Sequence, residues 1–240
     1  MRVLGEPAFV LHARPWRETS AIVELLTRSH GRVGVVARGL STARKQPLRA
    51  ALQPLQFLRV DYVQRGELAR LAAAEAQDNA PVLAGERLLA GLYVNELLLR
   101  LTPRNDPAPA VFDLYARVRG ALALASPLAW ELRRFERDLL DALGVGLPWD
   151  STADGEACEP DARYRLDAET GPVRSALRVE DSISGEALLA LASDLQPSPA
   201  GLAELRRALR RVLASHLGAT PLRSWGLLDD LARVRPRAQD

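Results

Sequence analysis

The 240-residue chain has few of the residues on which metal and catalytic sites commonly depend. Its single cysteine, Cys158, excludes an internal disulfide and a four-thiolate zinc site. Cys158 also lies in an acidic segment, which should raise the pKa of its thiol rather than activate it. The three histidines, His12, His30 and His216, do not show the spacing of metal ligands. We therefore expect neither a metal ion nor another cofactor.

Common catalytic and membrane motifs are missing as well. The sequence has no P-loop, no glycine-rich dinucleotide turn, no HExxH helix and no GxSxG elbow. No apolar run is long enough to span a bilayer, and residues 1–7 lack the apolar core of a signal peptide. These absences favour a non-enzymatic binding protein of the cytoplasm, away from membranes. A hydrolase or nuclease is the least favoured alternative.

Charge, in contrast, is abundant and unevenly distributed. Arginine supplies all but one of the cations, and Lys45 is the only lysine. Residues 1–70 contain twelve Arg or Lys and five Asp or Glu, a balance of +7, whereas the remaining 170 residues have a balance of −5. Such asymmetry indicates a nucleic acid or another anionic surface as the partner of the first part.

The first part, residues 1 to about 78, has the pattern of a small β-barrel. Its short segments alternate apolar and polar residues, and glycine-bearing turns separate several of them. The predicted strands are Ala8–Ala13, Ser20–Thr27, Arg32–Arg38, Leu55–Val63 and Glu67–Ala76. Five strands with the longest connection between the third and the fourth fit an OB-fold, a barrel that often binds oligonucleotides.

The long connection, Arg38–Leu52, is predicted to be a basic loop. Arg38, Arg44, Lys45 and Arg49 fall within twelve positions, and no acidic residue separates them. Long loops without secondary structure are uncommon unless they bind something. Clustered cations on a small β module suit a phosphate backbone, and the alternative is a solvated surface loop.

A second candidate contact is the connection between the first two strands, residues 14–19, where Pro15 predicts a loop. Trp16 stands there between Arg14 and Arg17. Single-stranded nucleic acid uses this arrangement, because bases stack on aromatic rings while phosphates pair with arginine. The alternative is that Trp16 closes the end of the barrel.

From Pro81 onward the apolar period changes from 2 to about 3.6, which predicts a mostly α-helical domain over residues 79–240. Glu86–Leu101 is apolar on most sides and should be its central buried helix. Further helices are predicted by stripe and cap patterns: Ala108–Ala125, Ser126-Pro127 to about Leu143, Ser184–Ser193, Ser198-Pro199 to Leu217, and Thr220-Pro221 through Leu228 and Leu231. Arg233, Arg235 and Arg237 would then form a basic tail.

Within this α+β architecture, residues 144–182 are predicted to be irregular. Residues 150–194 contain eleven acidic residues against four arginines. A small hairpin is predicted there, with strands Arg163–Leu166 and Val173–Leu177. Further upstream, Arg133, Arg134 and Arg137 lie away from much of the apolar stripe of their helix, and the simplest interpretation is a solvated helical face.

Several stretches, in a specific order and spacing, resemble one family. They are Phe9–Ser20, Gly31–Val33 with Val36–Gly39, Leu52–Pro54, Gly91–Leu97, Leu132–Glu136, Leu143–Gly146, and Leu217–Gly218 with Pro221–Ser224. Together they are similar to the RecO family of bacterial recombination mediators and DNA repair proteins. Many members have a four-cysteine zinc site after the Leu-Gly-x-Gly segment. This chain has only Cys158 there, and so resembles the zinc-free branch.

The resemblance implies a DNA-binding mediator in DNA repair, cytoplasmic and nucleoid-associated. It would load recombinase onto single-stranded DNA coated by single-strand-binding protein, anneal complementary strands and have RecR as a partner. Both single- and double-stranded DNA are expected ligands, and the recombinase would be an indirect partner. Expected DNA contacts are Arg14, Trp16, Arg17, Arg38, Arg44, Lys45 and Arg49.

A linked expectation concerns the single-strand-binding proteins, which resemble one another in ending with an acidic, apolar tail. A groove beside Leu132 and Phe135, rimmed by Arg133, Arg134 and Arg137, could hold such a tail. The alternative to the whole interpretation is a scaffold that binds only proteins. In that case the N-terminal cations would merely aid solubility.

Overall fold

The computed structural model describes residues 1–175 and 181–227, and the contacts within it group the chain into two units. The first unit comprises Met1–Leu124 with the described residues from Leu222 onward, and the second comprises Ala125–Pro221. The fold is α+β, with a five-stranded N-terminal barrel followed by a mostly helical region. No helix of the described chain is long and apolar enough to cross a membrane. A domain boundary at residue 78 stays a prediction.

The barrel of the first unit confirms the predicted five strands. They are β1 (Arg2–Trp16), β2 (Ser20–Thr27), β3 (Gly31–Ala37), β4 (Phe57–Val63) and β5 (Ala69–Ala76). The barrel closes in the order β1-β2-β3-β5-β4, and the β3–β5 pairing is parallel. Alternating apolar side chains, among them Val23, Leu25 and Val35, are fully buried and form its core. The period-2 pattern of the sequence therefore marks this interior.

The expected loop at Pro15 is wrong. Strand β1 continues through Pro15 to Trp16, pairing Pro15 with Ala21 and Trp16 with Ser20. Its pairing with β4 ends at Phe9, so this end of β1 is an edge towards β4. A proline lacks an N–H donor, but an edge strand does not need that donor. The turn between β1 and β2 is therefore only Arg17–Thr19.

The basic connection is not an unstructured loop either. A 3₁₀ turn, Ala43–Lys45, leads into helix α1, Gln46–Ala51, which has proline in its first turn. Proline favours the start of a helix because its φ is already helical. Leu48 and Ala51 pack against the barrel core. Tertiary packing thus stabilises a helix too short to form alone.

Two longer helices follow the barrel in the first unit: α2 (Gly85–Leu101) and α3 (Pro109–Ala123). The buried Asn95 of α2 joins three elements, since its amide donates to Leu11 O (2.9 Å) and accepts from the hydroxyl of Tyr115 (2.7 Å). Contrary to expectation, α2 is not buried on most sides, because Leu88 and Leu92 are exposed.

The predicted last helix begins at Arg223 rather than at Thr220. Its first backbone N–H groups, of Arg223 and Ser224, donate to the carboxylate of Glu96 at 2.8 and 2.9 Å. A carboxylate there satisfies donors that have no partner within the helix. Leu228, Leu231 and the basic tail Arg233, Arg235 and Arg237 lie outside the described residues.

The second unit contains helices α4 (Leu128–Ala142), α5 (Gly185–Ala192) and α6 (Pro199–Leu217). Ser198 caps α6 as the sequence predicts, and Ser184 caps α5. The cap predicted for α4 is wrong: Pro127 occupies the N-cap position, without a side-chain cap bond. Proline has no hydroxyl with which to accept a bond from the first turn.

A small sheet accounts for the middle of the second unit. The predicted hairpin is confirmed as β6 (Arg163–Asp167) and β7 (Gly171–Ser175), and β8 (Ile183–Ser184) adds a third strand beside β6. Leu177, the predicted end of the hairpin, lies outside the described residues. Cys158 is buried, and burial, more than the charge of Asp150, raises the pKa of its thiol. The direction agrees with the sequence prediction.

Candidate nucleic-acid interface

The end of strand β1, just before the turn into β2, brings two of the predicted contacts together. Arg14 places its guanidinium over the indole of Trp16, 5.7 Å from the ring centroid, a cation–π geometry. Trp16 is 40% exposed, so it does not close the barrel as a buried plug. Arg17 has a φ of +56°, in the left-handed region that favours glycine. Backbone strain of this kind costs about 1–3 kcal/mol and is concentrated at binding sites.

The connection between β3 and β4 presents the remaining predicted cations. Arg38 follows β3, Arg44 and Lys45 belong to the 3₁₀ turn, and Arg49 lies in α1. All are exposed except Lys45, which is half-buried. The backbone N–H of Leu40 donates to Thr19 O at 2.7 Å, which fastens this connection to the β1–β2 turn. Two stretches twenty residues apart in sequence therefore form one surface.

A cleft of about 310 Å³ opens between these two stretches. Arg14, Arg17 and Arg49 line it, together with the carboxylate-bearing Glu18. Its apolar wall consists of Pro15, Leu40, Leu52 and Pro54. Trp16, Arg38, Arg44 and Lys45 are not among its lining residues. Of the seven predicted DNA contacts, three thus share the cleft and four lie outside it.

The cations of this surface differ from several other arginines of the same unit in having no acidic partner. Within the described residues, Arg14, Arg17, Arg38, Arg44, Lys45 and Arg49 form no ion pair. Elsewhere in the same unit Arg28 pairs with Asp113, and Arg32 and Arg104 share Glu24. Unpaired cations keep their full charge available for a polyanion.

Sequence reasoning missed a second group of exposed cations on the barrel. Arg2, Arg59, Arg65 and Arg70 are exposed and, within the described residues, form no ion pair. The register brings two of them together, because Arg2 and Arg70 both pair with Val63 across neighbouring strands. Their wide spacing in sequence gives no signal until strand register is known.

The predicted groove residues of α4 have a different environment. Leu132 and Phe135 are buried, Phe135 to 2% exposure, and therefore belong to the core of the second unit. Arg133 is not on a solvated face: it is 7% exposed and forms an ion pair with the buried Glu136. Removing its partner would leave a buried charge, which is strongly unfavourable.

Arg134 and Arg137 belong to α4, and both contact the C-terminal end of α5. Arg134 forms two bonds with Asp194, at 2.8 and 2.7 Å, and Arg137 bonds the same carboxylate at 2.9 Å. Arg134 first, and then Arg137, hold the pKa of Asp194 below its ordinary value. The two arginines therefore already bind one carboxylate. Arg134 does so with two parallel hydrogen bonds, the geometry with which arginine generally recognises carboxylates.

No group of three metal-ligating side chains occurs in the described part of the chain.

In comparisons with known proteins, the family model "Recombination protein O N terminal" matches residues 1–80, and "Recombination protein O C terminal" matches residues 83–226. Proteins named "DNA repair protein RecO" from Xanthomonas euvesicatoria pv. vesicatoria and Stenotrophomonas maltophilia are each 52% identical to the chain. Each alignment covers 98% of this chain and 100% of the relative.

Proposed function

Since the chain belongs to the RecO family of DNA repair proteins, we propose that it is a recombination mediator that holds single-stranded DNA on its barrel without catalysis. The observation that carries this proposal is the surface of six unpaired cations around the β1–β2 turn and α1. Phosphates would lie against Arg14, Arg17, Arg38, Arg44, Lys45 and Arg49, and Trp16 would stack a base.

Annealing follows from this arrangement of charge. Cations that screen the backbone of one strand reduce its repulsion of a complementary strand, while its bases stay accessible. To load recombinase, the chain would bind DNA through the same cations while single-strand-binding protein is bound nearby. RecR would be the partner of the chain in this step. A DNA ligand also implies a cytoplasmic, nucleoid-associated protein that binds both single and double strands.

Annealing of oligonucleotides coated with single-strand-binding protein tests the proposal. We expect the chain to accelerate annealing several-fold, and Arg14→Glu/Arg17→Glu to abolish most of that acceleration, because both side chains reach the cleft. Fluorescence transfer between labelled strands measures the rate. Failure to bind or anneal DNA at low salt, with RecR binding intact, would instead favour the protein-only scaffold.

A second proposal is that Arg134 and Arg137 bind the acidic tail of single-strand-binding protein. Asp194 would compete with the tail's carboxylates for the same two guanidinium groups. Leu132, Phe135 and Arg133 would support this site from the core rather than form its rim.

We expect Arg134→Ala to lower the affinity for a tail peptide about tenfold, since charge-assisted bidentate bonds are lost. Asp194→Asn should raise that affinity, because it removes the carboxylate that both arginines share, although Arg134 keeps Glu131 and Arg137 keeps Asp138 as neighbours. Fluorescence anisotropy of a labelled peptide measures both constants. Arg133→Ala is a poor probe, because it leaves the buried Glu136 unpaired. Equal peptide affinity for Arg134→Ala and the parent would reject this site.

A further inference from the structure

The cleft between the β1–β2 turn and α1 combines two chemistries. Cations stand at its edge, Arg14, Arg17 and Arg49, and an apolar wall is formed by Leu40, Leu52 and Pro54. A purely electrostatic track for phosphates needs no apolar wall. A nucleotide needs both, because its phosphate is anionic while the face of its base is apolar.

The size of the cleft limits what can enter. Its volume of about 310 Å³ lies at the small end of the range for ligand pockets, about 300–1,000 Å³. That volume suits one nucleotide rather than a stretch of strand. A base pair within a duplex cannot enter, since the base would first have to leave its stack.

The backbone around the cleft is also specialised. Arg17 adopts a positive φ although it is not glycine, and the Leu40–Thr19 hydrogen bond holds the opposite side in place. The short hairpin turn uses this left-handed conformation, and it places Arg17 among the residues that line the cleft.

We infer that this cleft holds one unstacked nucleotide of a bound single strand, its base against Pro15, Leu40 and Pro54 and its phosphate on Arg14, Arg17 and Arg49. The inference rests on the proposed function and adds a base-dependent contact to backbone binding. Glu18 lines the same cleft and disfavours a second phosphate there. Single strands would then be preferred over duplexes, whose bases are already stacked.

The experiment compares two oligonucleotides of equal length, one of thymidines and one with abasic sites throughout. Affinities are measured by anisotropy in a Trp16→Ala background, so that stacking on that indole does not contribute. We expect the protein to prefer the thymidine strand about fivefold, the effect of one base contact. Thr19→Leu/Ser41→Leu fills the cleft from two exposed lining positions and should reduce this preference to near onefold.

The control is Gln46→Leu/Ala50→Leu, which adds the same side chains at exposed positions of α1 that do not line the cleft. It should keep the fivefold preference. Equal affinity of the Trp16→Ala protein for both strands, or an unchanged preference in the filled variant, would overturn the inference while leaving backbone binding intact. Failure of both strands to bind at low salt would instead remove the proposed function itself.

Discussion

Charge reversal of Arg44 and Lys45 together is expected to lower the affinity for single-stranded DNA about tenfold or more at low salt. Both residues belong to the 3₁₀ turn before α1, and neither has an ion-pair partner within the described chain. The variant Arg44→Glu/Lys45→Glu therefore loses two attractive contacts and gains repulsion, without breaking a native bond. The slope of log affinity against log salt should become shallower by about 1.4, since each contact on a single strand contributes about 0.7.

A matched control separates these contacts from net charge. Arg174→Glu/Arg211→Glu changes the charge of the chain by the same amount, but both arginines lie in the second unit and pair with Glu159 and Asp181. We expect this control to keep the salt slope of the parent. If both variants lost affinity equally, the effect would be one of overall charge, and the 3₁₀ turn would have no specific part in binding.

Gly31→Ala is expected to destabilise the first unit by about 3 kcal/mol. Gly31 begins β3 with a φ of +66°, and a Cβ added there would lie 1.8 Å from the backbone oxygen of Asp106. Backbone atoms cannot move aside as a flexible side chain can. The variant would therefore have to shift the connection between α2 and α3, which Arg104 fastens to the barrel through Glu24.

Gly39→Ala supplies the control for backbone strain alone. Gly39 has a similar φ of +72°, but a Cβ there would meet nothing within 4 Å. Gly39→Ala should lower the free energy of unfolding by only about 1 kcal/mol, the penalty for a non-glycine residue in the left-handed region. Denaturant unfolding followed by fluorescence measures both free energies. Equal losses for the two variants would show that φ, and not close approach, makes Gly31 necessary.

The barrel was predictable because its evidence is local. Alternation in Ser20–Thr27 and in the third predicted strand determines which side chains face the interior, and the five strands follow in order. The end of β1 was not predictable from Pro15 alone, because the effect of a proline depends on whether its strand edge is paired. Helix α1 was missed for a similar reason, since Leu48 and Ala51 form a helix against a core that lies elsewhere in sequence.

The site was predictable in composition but not in geometry. Sequence spacing identified the cations of the β1–β2 turn and the basic connection, but it could not show that Arg14, Arg17 and Arg49 share a cleft. Nor could it distinguish free cations from paired ones. Arg133 resembles Arg134 in sequence, yet Arg133 pairs with Glu136 in the core and Arg134 pairs with Asp194 at the surface. Pairing depends on tertiary contacts, which a one-dimensional pattern does not contain.

The central claim is that unpaired cations of the barrel bind the phosphates of single-stranded DNA. Its most direct test is how the affinity of the unmodified chain for single-stranded DNA depends on salt. With three to six phosphate contacts, the log–log slope should lie between about −2 and −4 over 50–200 mM salt. Affinity that stays constant over that range would mean that the unpaired cations of the barrel do not hold phosphates, and would contradict the account.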